Sequence, residues 1–419
     1  MNPLPASYTE FSAASSSRPQ LQGLSRSQRR STELALNLLK HLQFGELHLQ
    51  LPDQSQLVFG KAHSEFAPAH LQLRDWEVFN ACIKHGDIGF CEAYIDGLWT
   101  SRDLSNLLQL FIRNRQHLDS LIYGNWWGRL WFGLKHKLNR NNKRGSKKNI
   151  HAHYDIGNPF YQLWLDTTMS YSSALFDPSM PQQSMEQAQL AKYQRVLDEL
   201  NLPVGGKLLE IGCGWGGFAE LAARQGHQLT GITLSQQQLC YAQQRLQQQV
   251  PAAACDFRLQ DYRDTYGEYD GIASIEMIEA VGQEYWDDYF ACLARNLRQG
   301  GRACIQSIVI APELFERYQR GSDFIQQYIF PGGMLPTTPI LHDYAARHGF
   351  IVRNCLPFGL DYARTLAYWR ERYLQKLPEL EQLGYDTRFN RTWEMYLAYC
   401  EAGFRAHNLD VVQITLQRT

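Results

Sequence analysis

Nowhere in its 419 residues does the chain carry an uninterrupted apolar run long enough to cross a bilayer. The start is rich in Ser and Arg but lacks the apolar stretch of a secretory signal. With Glu10 present and weak amphipathicity, residues 1–31 read as a disordered tail rather than an organelle transit peptide. Nine cysteines include no CxxC pair and do not cluster with histidine, which points to reduced thiols in a cytoplasmic setting and away from zinc. There is no excess of one charge either. Lys+Arg number 41 against 42 Asp+Glu, a formal charge of -1, which excludes a protein built as a whole to coat nucleic acid. The length exceeds one typical domain, and two are expected.

What is present falls into distinct stretches. Residues 32–134 mix short alternating strands (LHLQL, QLVFG, HLQLRD) with helical text such as DLSNLLQLFIRN after the cap-like Ser101, and read as a small α+β domain. Residues 135–150 contain KHKLNRNNKRGSKK, too polar to bury and read as a basic linker. Beside it stand Trp126, Trp127, Trp131 and Phe132. That pairing suits a segment resting at a lipid headgroup layer, and equally a core helix followed by a solvated tether.

From Lys207 onward apolar strands alternate with helical patterns: KLLEIG, GGFAELAARQG, HQLTGITL, SQQQLCYAQQRLQQQ, DFRLQD, YDGIASI, YWDDYFACLARNLRQGG and RACIQSIVI. This alternation predicts an α/β, doubly wound, Rossmann-like sheet of parallel strands, with ligands at the strands' carboxyl ends. The first strand runs into Gly212-Cys213-Gly214-Trp215-Gly216-Gly217, a turn that lets a ligand approach the backbone. A dinucleotide enzyme would close its second strand with an acidic residue, whereas Thr233 and Ser235 stand there. Glu210 is the type of residue that pairs with a cofactor ammonium, and Asp261 and Tyr262 suit the amino group and face of an adenine. The bland alternative for all three is ordinary loop polarity. His151 and His153 form an HxH pattern with no third ligand nearby, and Cys213 lacks an adjacent base, so neither a metal nor a thiol nucleophile is expected.

Taken together, HYDIGNPFYQLWLDTTMSYSSALF, LLEIGCGWGGFAE, TLSQQQ, LQDYRD, IEMIEAVG and YIFPGGMLP resemble the cyclopropane-fatty-acyl-phospholipid synthase family, class I methyltransferases that use S-adenosylmethionine. The resemblance covers roughly His151 to Arg405, within the expected catalytic domain 151–419. It implies that Tyr171 and Ser172 touch the methionine part of the cofactor, Gly212 and Gly214 its backbone, Thr233, Ser235 and Gln238 the ribose region, and Tyr262 the adenine. It also implies an extra N-terminal domain, a homodimer and no metal.

In the family a bicarbonate ion acts beside the reacting carbon, held by cysteine, glutamate, histidine and tyrosine. Glu279 and Tyr362 match the glutamate and tyrosine. Ser173 stands where cysteine is usual, Gln306 where histidine is usual, and Ala280 replaces the histidine of EHVG. Without an imidazolium, an anion would be held less strongly. Glu276, where glycine is common, is expected to substitute its carboxylate for bicarbonate, with Gln306 and Tyr362 orienting it, or else to cap the following helix. The stretch Phe324 to Leu335 is expected to line an acyl tunnel or simply to form core.

The function implied is transfer of a methyl carbon to the double bond of unsaturated phospholipid acyl chains, at the cytoplasmic face of a membrane, forming cyclopropane fatty acids. A methylene or methyl-branched product, an inactive cofactor-binding lipid sensor and a methyltransferase with a soluble substrate remain the alternatives.

Overall fold

A computed structural model describes residues 19–115 and 156–419. The chain divides into two compact units, 1–128 and 129–419. The basic run, the tryptophan cluster before it, His151 and His153 lie outside the described residues, as does the expected 134/135 boundary.

The first unit opens with the helix Arg26–Leu39, so helix replaces the end of the expected tail. Ser25 caps it, accepting from the Gln28 N–H while the Gln28 side chain bonds back to the Ser25 N–H. Its sheet runs in the order β2-β1-β3-β4, from β1 (Glu46–Gln50), β2 (Gln56–Gly60), β3 (Ala69–Leu73) and β4 (Trp99–Thr100). The alternating text puts Leu47, Leu49, Leu71 and Leu73 inward, where they meet Trp99 and Leu107 in the unit's own core. The helix Leu104–Arg113 is capped by Asp103, not Ser101. The Asp103 carboxylate accepts from the Asn106 N–H, while the Ser101 hydroxyl donates to the His70 carbonyl.

The second unit is a seven-stranded sheet in the order β10-β11-β9-β8-β5-β6-β7. The strands are β5 (Lys207–Ile211), β6 (Gln228–Thr233), β7 (Cys255–Leu259), β8 (Tyr269–Ile275), β9 (Leu297–Ile310), β10 (Phe350–Pro357) and β11 (Leu409–Arg418). The expected parallel core is present in β5 to β9. β11, which the alternation of strand and helix text did not predict, runs antiparallel between β9 and β10. The text YWDDYFACLARNLRQGG is helical only over Trp286–Asn296, and its last residues already belong to β9.

Apolar side chains cover both sheet faces. Phe218, Ala242 and Leu246 lie in one cluster, and Trp286, Tyr289, Phe290 and Leu341 in the other. Between β10 and β11 the chain inserts the long helices Gly359–Gln375 and Thr387–Arg405. With the helix Asn158–Trp164 they build an aromatic core in which Phe160, Trp164, Trp369, Tyr373 and Trp393 touch one another edge to face.

Candidate active site

The glycine-rich turn begins where β5 ends. The N–H groups of Gly212 and Cys213 both donate to the Ile232 carbonyl at 3.0 Å, which folds the chain back across β6. Gly212 has φ +83°, and a Cβ there would stand 2.8 Å from Met277 Cγ, so only glycine fits. Gly214 has φ +51°, and a Cβ there would meet no protein atom within 4 Å. The turn is open on that side.

Glu210 points from the last turn of β5 and is 4% exposed, and its Oε2 has no hydrogen-bond partner. Burial holds its carboxyl well above the ordinary range, an effect opposed by the nearby Lys192 ammonium. Asp166 Oδ1 is likewise buried without a partner. Two such orphaned carboxylate oxygens beside an open glycine turn fit a cationic ligand with hydrogen atoms to donate.

Thr233, Ser235 and Gln238 come together at the start of the helix Gln236–Gln249. Thr233 Oγ1 donates to Gln238 Oε1 at 2.9 Å, and Ser235 caps the helix. Asp261 is held differently: Arg263 donates to both of its oxygens, at 2.9 and 2.7 Å. The Tyr262 ring is buried against Tyr289, with its hydroxyl unpartnered.

The strip Tyr171-Ser172-Ser173 joins this region to a second cluster. The Tyr171 hydroxyl bonds that of Tyr396 at 2.7 Å, and its ring leans on Trp369. Ser172 Oγ accepts from Lys192 Nζ at 2.6 Å, and the Ser172 carbonyl accepts from Gln189 Nε2 at 2.9 Å. Ser173 is fully buried, and its hydroxyl donates to the Ala174 carbonyl, turned away from the carboxylates.

Glu276 is the centre of the second cluster. Its Oε1 accepts from the Ser173 N–H and from Gln306 Nε2, both at 2.8 Å, and its Oε2 accepts from the Tyr362 hydroxyl at 2.6 Å. Burial raises its carboxyl above the usual range, while these three donors and Lys192 pull it back. The helix-cap alternative is not what the side chain does.

Glu279, one turn on, accepts from the Ile308 N–H, and its Oε2 is buried without a partner. Burial, then the charge of Glu276, pushes its pKa up to about 8. Glu279 thus holds a proton at neutral pH, while the three donors on Glu276 favour its ionised form. The YIFPGGMLP stretch braces this loop, since the Met334 N–H donates to the Glu279 carbonyl at 2.9 Å.

All five residues expected around the reacting carbon thus fall in one place, though Ser173 contributes its backbone N–H rather than its hydroxyl. Sequence reasoning missed Asp166 and Lys192. Lys192 is fully buried, and burial drops its pKa to about 7. A signal for it existed, because Ala188, Lys192 and Val196 follow one another at helical spacing on the buried face of Met185–Leu200.

Residues 141–414 match the family model described as mycolic acid cyclopropane synthetase. The chain is 38% identical over 347 residues to the tuberculostearic acid methyltransferase UfaA1 of Mycobacterium tuberculosis, covering 80% of each chain. It is 31% identical over 361 residues to the cyclopropane-fatty-acyl-phospholipid synthase of Escherichia coli K12, covering 86% of this chain and 90% of that one. Among solved structures it is similar to the mycolic acid cyclopropane synthase CmaA1 complexed with SAH and CTAB. The TM-score is 0.61 at 30% identity, covering 65% of this chain and 98% of that one.

Proposed function

Because the chain belongs to the mycolic acid cyclopropane synthetase family, we propose that it is an enzyme that alkylates the double bond of unsaturated phospholipid acyl chains with the methyl of S-adenosylmethionine, Glu276 serving as the base. Membership makes it an S-adenosylmethionine-dependent methyltransferase of lipid chains. The observation that carries the finer reading is the Glu276 carboxylate, held by Ser173, Gln306 and Tyr362 beside the cofactor strip.

The cofactor, when bound, supplies an electrophilic methyl on a sulfonium. Glu210, with its free buried oxygen, is the partner for the ammonium group, and the Gly212–Gly214 turn gives the backbone approach. Tyr171 and Ser172 hold the methionine part, Thr233, Ser235 and Gln238 the ribose, and Tyr262 with Asp261 the adenine. Asp261 must then share its oxygens with Arg263.

An alkene is a weak nucleophile, so a dry, aromatic site that fixes it in line with the methyl does much of the work. Tyr161, Tyr171, Trp369 and Tyr396 provide π-rich walls for the carbocation left on the acyl chain. Glu276 then takes a proton from the new methyl. The C–H electrons close a C–C bond to the cation, giving the cyclopropane. Bicarbonate is not needed, because Glu276 brings its own carboxylate to the Gln306 and Tyr362 donors.

The similarity to a tuberculostearic acid methyltransferase favours a second product. A hydride shift moves the cation to the methyl-bearing carbon before Glu276 takes the proton, and the C–H electrons then form a methylene double bond. Mass spectrometry of acyl chains from a host lacking such enzymes, fed isotope-labelled methionine, tests both. Gain of one labelled CH₂ without retained unsaturation is expected for the ring, and with it for the methylene. Cofactor binding without any labelled lipid would overturn the proposal in favour of a lipid sensor or a soluble substrate.

A further inference from the structure

Gln306 and Gln413 are fully buried amides that face each other directly across β9 and β11. The oxygen and nitrogen of a buried amide occupy nearly equivalent space, so each side chain has two seatings. For Gln306 the two have opposite chemical effects. An N–H turned to Glu276 stabilises the ionised carboxylate, whereas a carbonyl would repel it.

The far end of the pair breaks this symmetry. Arg195, on the helix Met185–Leu200, donates to Gln413 Oε1 at 2.6 Å. A guanidinium has donors only and stays charged, so it accepts no other seating of Gln413. Gln413 Nε2 must then face inward, and it donates to Gln306 Oε1 at 3.0 Å and to the Lys192 carbonyl at 3.4 Å. Gln306 Nε2 in turn faces Glu276 at 2.8 Å and the Ser173 carbonyl at 3.3 Å. The two backbone carbonyls, acceptors only, agree with the same seating.

We propose that Arg195 and Gln413 are positioning residues for the methyl-transfer reaction, fixing the polarity of a three-bond relay so that Gln306 presents its N–H to Glu276. The inference rests on Glu276 being the base. Neither residue touches the carboxylate, and each acts only through Gln306. Arg195 also transmits part of its positive charge, because each donor bond strengthens the next along the chain. Other groups face Glu276 from the elements packed around it: Lys192 from Met185–Leu200, Glu279 from the turn Ile278–Ala280, and Tyr362 from Gly359–Gln375. Arg195→Met removes none of these three groups and none of their contacts with Glu276, whereas Gln413→Met also removes the bond to the Lys192 carbonyl. Arg195 itself is paired with Glu199 at 3.3 Å.

The test measures kcat and KM against pH for the full chain, on vesicles of unsaturated phospholipid with labelled S-adenosylmethionine. Arg195→Met and Gln413→Met are expected to move the acidic limb of kcat up by about half a pH unit, with KM unchanged. Arg195→Lys, still donor-only, is expected to return the limb towards the wild-type position. Glu199→Gln, which breaks the ion pair but leaves the donors, should not move it. If Gln413→Met does not fold, Arg195→Met, altered at the partly exposed end, carries the test alone. Uniform loss at every pH with the limb in place would overturn the inference and leave a structural role. Glu276→Gln separates the two levels. Wild-type turnover in that variant defeats the proposed base itself, whereas a dead Glu276→Gln alongside unmoved limbs defeats only the relay.

Discussion

Glu276 occupies a backbone angle that disfavours its own side chain. Its φ is +51°, a region that glycine enters freely and a branched-off Cβ resists by about 1–2 kcal/mol. It also buries a carboxylate. Strain and desolvation meet at this one residue, both at the expense of stability, which fits the role of base proposed for it. Glu276→Gln is therefore expected to lower kcat by about 10²-fold or more while leaving thermal stability equal or higher, checked by turnover and by melting. Glu279 gives a pH signature. Its pKa is about 8 in the folded chain against an ordinary 4.5, so its share of stability is fully present below about 4.5 and is lost as pH rises through 8. Glu279→Gln cannot ionise, so its melting temperature relative to wild type is expected to climb between pH 5 and pH 8. A flat difference would show that Glu279 is not held protonated.

The helix Met185–Leu200 serves the site from one face, through Gln189, Lys192 and Arg195. Its start is secured by a capping box, Ser184 accepting from the Gln187 N–H and the Gln187 side chain returning the bond. Ser184→Ala is expected to cost about 1 kcal/mol in denaturant unfolding while leaving the pH profile of turnover in place. In the glycine turn the constraint is steric. Gly212→Ala pushes a Cβ into Met277, beside both carboxylates, at a positive φ. It is expected to weaken S-adenosylhomocysteine binding by about tenfold, read by calorimetric titration. The glycine turn was legible beforehand and the capping box obeys the same locality, since caps and tight turns are decided by residues three or four positions apart. The capping of Leu104–Arg113 shows the limit. Ser101 and Asp103 are both competent caps, and what decided between them was the His70 carbonyl, 31 residues away, which takes the Ser101 hydroxyl.

At the scale of the whole molecule, each unit has its own buried core, and the residues proposed to hold the cofactor all belong to the second. S-adenosylhomocysteine binds only the folded form of that unit, so at a hundredfold excess over Kd it adds about 2.7 kcal/mol to that unit's stability and nothing directly to the other. Scanning calorimetry is expected to show one transition moving with ligand and one staying. Among the described residues no helix is long and apolar enough to cross a membrane. For the proposed acyl substrate, vesicle composition is the variable to explore.

The division between sequence and structure follows the range over which each feature is decided. Alternating apolar strands, the glycine turn and the motif strings are local, so the doubly wound sheet and the family resemblance could be read from the sequence, and most of the candidate site residues were expected from that resemblance. The placement of β11 could not, because an antiparallel strand carries the same apolar text as a parallel one, and its neighbours β9 and β10 are chosen by pairing. Of the partners of Glu276, Tyr362 and Gln306, 86 and 30 residues away, were expected from the family resemblance, whereas the backbone N–H of Ser173, 103 residues away, was not. Arg195 and Gln413 carried no signal in the sequence, and Lys192 only its place at helical spacing between apolar residues. Only the fold buries Lys192 and Gln413 fully and Arg195 in part, and a polar group short of water must find a fixed partner, which is the physical basis of the positioning role proposed for Arg195 and Gln413.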